Sequence, residues 1–303
     1  MDPIIGFVAA AIRIATPLLW AGLGEMIAER AGVINLSVEG AMLAGCLAAA
    51  VGAASTGDPW FGVLAGLAAG GVVASVFAGV AVWGRANQII TGTALTLASI
   101  GVTGVWYRQA FGPAGAGLSL PTFAAVKLPG VGAIPVLGPA VFEQPVLTFL
   151  AMAAVPMAWW FLFRTTAGLR LRATGEAAGA AEAGGVRVRK VQTVAVVVGG
   201  LLAGLGGATL VLAQVGTFTE RMTAGRGFIA IAIVVLGRWH PAGVMVAALG
   251  FGLANALQFA FQAMGLAVPY QFLLMLPYVV ALVALTGVAG RARAPAQLGQ
   301  TIA

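Results

Sequence analysis

Residues 168–192 read GLRLRATGEAAGAAEAGGVRVRKVQ, the one long polar interruption in an otherwise apolar chain. Six of the 16 Lys and Arg residues lie in it or beside it: Arg164, Arg170, Arg172, Arg187, Arg189 and Lys190. A mean hydropathy of +1.00 with only 8% charged residues describes a protein built for lipid. A large basic loop in such a chain marks the cytoplasmic side and a docking surface for a soluble partner. Its Ala-rich middle, running through Glu176, Ala177 and Ala178 to Gly184, predicts a short helix. Such a helix, next to membrane spans, is placed to take force from a motor subunit.

Composition sets the class. Hydrophobic residues make up 60% of the 303, and 44 more are Gly. A soluble domain cannot hide that much apolar surface, so the expectation is an all-α, polytopic bundle of about eight to nine transmembrane segments, forming one permease-like domain over 1–303 with the coupling loop 164–190 inside it. A pI near 10.8 would suggest nucleic acid in a soluble protein. Here the charge belongs to loops beside lipid headgroups, and no nucleic-acid partner is implied. The single Cys46, in an apolar stretch, offers neither a disulfide nor a metal cluster. MDPIIGFVAA has no basic leader, so the first apolar segment reads as a retained span.

Full-length spans are expected at about 4–23, 35–54, 60–83, 89–108, 146–163, 191–213, 242–262 and 268–287. The stretch 109–145, rich in Gly and Pro, is too broken for one helix. Phe228–Gly237 is too short to cross ~30 Å of hydrocarbon as a straight helix, so it reads as a half-helix or a steeply buried piece. Broken helices at membrane depth need a covering of protein or an aqueous cavity, which points to a translocation path. With the loops at 24–34, 84–88, 164–190 and 238–241 and the C-terminal tail on one side, that side carries eleven basic residues against four. The expected topology is N-terminus outside, C-terminus cytoplasmic.

Polar residues inside spans are costly and therefore informative. Asn35, Ser37 and Glu39 fall within five positions, bracketed by Gly32 and Gly40. At spacing four, Asn35 and Glu39 would share a helical face. Two readings stay open: the group lines a path, or Glu39 pairs with Arg13 or sits in hydrated surface. The charges of 24–30 read as structural pairing at the inner end of the first span, and Asn87, Gln88, Thr91 and Thr93 as a cap with helix–helix bonds. Asn255, Gln258 and Gln262 make a polar stripe interleaved with Phe251, Phe259 and Phe261, suited to a sugar or base passing through or to bonds between helices. His240 has no second ligand near it, no Ser-His-Asp arrangement occurs, and no G-x-x-x-x-G-K-[ST] is present.

The run Glu25-Met26-Ile27-Ala28-Glu29-Arg30-Ala31-Gly32-Val33-Ile34-Asn35-Leu36-Ser37-Val38-Glu39-Gly40 resembles the signature of permeases from bacterial ABC importers of the ribose/branched-chain amino acid class. It most resembles the nucleoside and simple-sugar branch. Arg172-Ala173-Thr174-Gly175-Glu176 and the stretch from Gly225 to Trp239 match the same family in order. Ribose permeases resemble G-I-D-L-S-V-G where this chain carries Asn35 and Glu39, which argues against ribose itself. The resemblance implies a subunit of the bacterial cell membrane that pairs with a second, related permease and docks an ABC ATPase. It also implies an extracytoplasmic substrate-binding lipoprotein that delivers cargo: a nucleoside, or alternatively a simple sugar, purine base or branched-chain amino acid. Residues 173–185, with Arg172, Thr174, Glu176, Ala177, Ala178 and Gly184, would couple to the ATPase. Asn35, Ser37, Glu39, Asn255, Gln258 and Phe259 would line the path. ATP and Mg would sit on the partner ATPase, with no cofactor or metal and no catalytic residue in this chain. A stand-alone secondary transporter would be expected to show internal repeats and paired intramembrane acids, and neither is evident.

Overall fold

In the computed structural model, the described residues are 3–112, 119–127, 137–264, scattered positions between 271 and 286, and 293–300. They form α1 (Pro3–Arg30), α2 (Val38–Thr56), α3 (Pro59–Phe77), α4 (Gln88–Phe111), β1 (Ala125–Lys127), α5 (Leu137–Val141) and β2 (Glu143–Pro145). There follow α6 (Val146–Arg164), α7 (Thr166–Glu176), α8 (Ala178–Ala183), α9 (Val188–Leu210), α10 (Arg226–Leu236) and α11 (Pro241–Ala263). Among the described residues, seven helices are long and apolar enough to span a membrane. α3 and α9 each run on into a π-helical turn, 78–83 and 211–215, which completes their span. The span expected at 268–287 lies mostly outside the described residues, and its described positions are helical. Much of the broken stretch 109–145 also lies outside them. What is described there includes a two-stranded antiparallel ribbon pairing Lys127 with Glu143, the one β element among the described residues.

Helix ends follow local chemistry. Gly57 closes α2 in the left-handed conformation at φ 73°, and Asp58 caps α3 by accepting from the Trp60 N–H at 2.9 Å, with Pro59 in the first turn. Asn87 caps α4, accepting from Ile89 and Ile90. α9 is the central post: α1, α2 and α3 all pack on it. Glycines make that approach possible. A Cβ on Gly45 of α2 would stand 2.5 Å from the Gly204 carbonyl of α9, and one on Gly66 of α3 would stand 2.9 Å from the Gly45 carbonyl. The abundance of Gly in the composition is thus spent largely on close backbone contact between spans.

The loops of one end are tied together. The Ile34 N–H donates to Gln88 Oε1 at 2.8 Å, so the α1–α2 and α3–α4 connections touch. The Gln297 N–H donates to the Gly175 carbonyl at 2.9 Å and the Gly299 N–H to the Gly32 carbonyl at 3.1 Å. The tail, the basic loop and the signature turn therefore share that end. α9 leaves it, and Trp239, after α10, returns to it beside Arg30. The chain from 216 to 236 makes that return as a run of bends and turns followed by the half-helix α10.

Candidate functional site

α10 is 11 residues long, about 16 Å, half a membrane. Its first-turn backbone N–H groups have no partner within the helix and need acceptors from elsewhere. Glu39 supplies them. Its Oε1 accepts from Thr223 Oγ1 at 2.6 Å and from the Gly225 N–H at 2.9 Å, while Oε2 accepts from the Gly227 N–H at 2.6 Å. A buried carboxylate at a helix N-terminus is also favoured by the helix dipole. Gly227 is required for the approach, since a Cβ there would run into the Glu39 backbone. Glu39 therefore bonds to the half-helix, not to Arg13, which corrects one of the two structural alternatives.

The other end of α10 is held from the same stretch of sequence. Trp239 Nε1 donates to Glu29 Oε2, and Arg30 Nε donates to the Trp239 carbonyl at 2.8 Å. Backbone strain marks both ends: Arg221 and Ala224 precede α10 at φ 56° and 47°, and Arg238 and Trp239 follow it at φ 56° and 54°. For a residue as bulky as Trp, a left-handed φ persists only where the surroundings over-determine it. Here the Glu29 and Arg30 bonds do so.

Asn35 is not on the Glu39 face of a helix, because α2 begins only at Val38. Asn35 sits in the preceding turn. Its Oδ1 accepts from the Ser37 N–H at 3.1 Å and from Ser37 Oγ at 2.5 Å, and its own N–H donates to Glu25 Oε1 at 2.9 Å. An Asn side chain competes with helical bonding by closing such a turn, and that delays the helix start. Asn35 Nδ2 is buried without a partner among the described residues. Asn35, Ser37 and Glu39 are thus brought together in one buried polar turn against the α10 N-terminus.

The α11 stripe is divided. Gln258 is buried, whereas Asn255 is half-buried and donates back to the Phe251 carbonyl of its own helix at 2.9 Å. Phe259 is 53% exposed on the outer surface of the bundle, away from the Gln258 face. The structure does not bring these three residues to the α10 turn.

The loop expected to couple also resolves into two roles. Arg172 folds inward, donating from Nε to the Leu162 carbonyl at 3.0 Å with its guanidinium over the Phe163 ring. Thr174 is fully buried and donates to the Arg170 carbonyl at 2.9 Å, and Gly175 packs on the backbone at Arg30 and Gly32. Arg172 thus ties α7 to the end of α6, and Gly175 is the position that packs α7 on the signature turn. Ala178 and Ala181 are buried with Val188, which leaves Glu176, Ala177, Gly179, Ala180, Glu182 and Gly184 as the exposed face of α8 and its flanks.

Residues 7–285 match the family described as the branched-chain amino acid transport system permease component. The chain belongs to this family. It is the permease component of an ABC transporter, a multi-pass membrane protein whose ATP hydrolysis is carried by a separate subunit, and the family implies an ATPase and a substrate-binding protein as partners. It is 37% identical over 300 residues to the guanosine ABC transporter permease protein NupQ of Bacillus subtilis, covering 95% of this chain and 93% of that one. It is 35% identical to the nucleoside ABC transporter permease protein NupC of Lactococcus lactis, covering 95% and 93%. It is 42% identical to the putative glucose ABC transporter permease protein TsgC13 of Haloferax volcanii, covering 86% and 79%. No solved structure matches the chain.

In this permease two of the three stretches that carried the family resemblance, 25–40 and 225–239, bond to each other around α10. Thr223 and Trp239 had no assigned role in the sequence reading. Thr223 stands two residues before the Gly225-Arg226-Gly227 run, where a hydroxyl ahead of a helix start signals a capping interaction. Trp239 sits at depth beside Glu29 and Arg30, a pairing that spacing alone cannot reveal across 210 positions.

Proposed function

We propose that this chain moves a nucleoside inward across the bacterial cell membrane, as one of two related permease subunits working with an ABC ATPase and a substrate-binding lipoprotein. The observation that carries the cargo is the pair of full-length nucleoside relatives, each covering 95% of this chain. The glucose relative, at 42% identity over a shorter overlap, supports a simple sugar as the second reading. The orientation follows from the basic loops: N-terminus outside, and the end bearing α7, α8 and the tail in the cytoplasm. The ATPase docks on the exposed face of α8, from Glu176 and Ala177 to Gly184. Small side chains there allow the helix to enter a cleft. Arg172 and Thr174 act behind that face, Arg172 by tying α7 to the end of α6 and Thr174 from a buried place within α7. The cargo path runs past the half-helix that Glu39 holds and past the adjoining Asn35–Ser37 turn, with Gln258 and Asn255 of α11 offering amides to a hydroxyl-rich, uncharged solute. Phe259, on the outer surface, serves lipid or the second permease.

The test is uptake by the reconstituted complex with its own binding protein. Labelled guanosine, uridine and glucose are supplied singly and in competition. Uptake of a nucleoside that excess glucose does not suppress supports the reading. Glucose uptake that excess nucleoside leaves untouched assigns the sugar instead.

A further inference from the structure

The basic loop does not send all its cations toward α8. Arg170, Arg187 and Lys190 line the mouth of a cavity of about 830 Å³ between α1, α6, α7 and α9. Its walls belong to membrane spans: Trp20 of α1, Trp160 of α6 and Val194 of α9 are among them, and Trp160 and Val194 are mostly exposed. No Asp or Glu lines it. None of the three cations has an ion-pair partner among the described residues. The acidic groups of the region, Glu176 and Glu182, stand on or beside the exposed face of α8 instead.

We infer that this groove binds an anionic diacyl phospholipid of the leaflet on the coupling-helix side. The headgroup phosphate meets Arg170, Arg187 and Lys190, and the acyl chains lie along Trp20, Trp160 and Val194. Charge complementarity chooses the occupant. A rim of three unpaired cations over an apolar trough inside a span matches a headgroup over hydrocarbon, and a zwitterionic lipid leaves the rim unbalanced. A neighbouring protein helix would need carboxylates at this depth, which a bilayer disfavours. The lipid would touch α6, α7 and α9 at once, on both flanks of α8, and so would steady the coupling helix from its membrane side. This inference needs the membrane bundle only and is independent of the cargo.

The experiment is native mass spectrometry of the assembled, delipidated transporter titrated with dioleoyl phosphatidylglycerol or dioleoyl phosphatidylcholine. At low salt the phosphatidylglycerol is expected to bind on the order of 100-fold more tightly, about fivefold for each cation, and to weaken as salt is raised. The triple variant Arg170→Gln, Arg187→Gln, Lys190→Gln should lose the preference while retaining the ATPase. The single variant Arg187→Gln, which tests the same point if the triple variant does not assemble, should lose about fivefold. Val194→Trp should reduce retention of both lipids by filling the trough. Equal retention of the two lipids by wild type, or undiminished phosphatidylglycerol preference in the charge variants, overturns the inference. So does efficient crosslinking of a Val194→Cys variant to the second permease, since protein would then cover the groove.

Discussion

The half-helix α10 and the helix α8 proposed to meet the ATPase are both short, yet they are held in opposite ways. α10 is bound at its N-terminus by Glu39 and bracketed after its C-terminus by Glu29 and Arg30, through buried polar bonds to residues far away in sequence. α8 rests on three apolar residues, Ala178, Ala181 and Val188, and leaves its outer face bare. The contrast separates two tasks. An element inside a membrane must have its backbone groups satisfied by protein, since nothing else is there to satisfy them. An element that meets a soluble partner needs a small, accessible face, and its partner supplies part of its stability.

The largest effect that would break this comparison is expected from Glu39→Ala. It leaves the N–H groups of Gly225 and Gly227 buried without acceptors, a cost of roughly 3 to 5 kcal/mol. The folded yield and the midpoint of thermal unfolding in detergent should both fall sharply. A midpoint equal to wild type would mean that α10 does not depend on this carboxylate. Trp239→Phe keeps most of the ring and removes one bond to Glu29, so it should cost about 1.5 to 3 kcal/mol by the same assay. A loss as large as that of Glu39→Ala would show that the Trp ring's packing matters more than its bond.

On α8 the effects move from stability to function. Ala180→Asp or Glu176→Lys should shift stability by no more than about 0.5 kcal/mol, as expected of exposed positions, while ATPase co-purification and uptake collapse. Wild-type co-purification of the ATPase with both variants would remove α8 from the interface. The smallest effect is expected from Gly179→Ala, where an added Cβ meets nothing within 4 Å. It should stabilise α8 by up to about 1 kcal/mol. Destabilisation would mean that Gly179 serves a backbone contact present only with a partner.

The spans were legible because each is an apolar run of nearly 20 residues, and Phe228–Gly237 stood out because it is too short to cross a bilayer as a straight helix, which left a half-helix or a steeply buried piece. Asn87 as a cap was equally local. Arg172, Phe259 and Glu39 were legible only as chemistry, because their directions depend on neighbours remote in sequence. Arg172 turns in because Phe163 and the end of α6 stand beside α7. Phe259 turns out because it lies one helical step from Gln258. Glu39 finds Thr223 and Gly227 184 and 188 positions away. Asn35 was misplaced onto α2 because a spacing of four suggests a shared face, whereas the Asn35–Ser37 turn postpones the helix.

The central claim is that the signature turn holds the half-helix through Glu39, and a double-mutant cycle tests it most directly. Glu39→Ala, Thr223→Val and the double variant are compared with wild type by equilibrium unfolding of the purified permease. The account predicts a coupling of about 1 to 3 kcal/mol between the two sites, because each single change already breaks the same bond. Single effects that simply add, within about 0.5 kcal/mol, would contradict it.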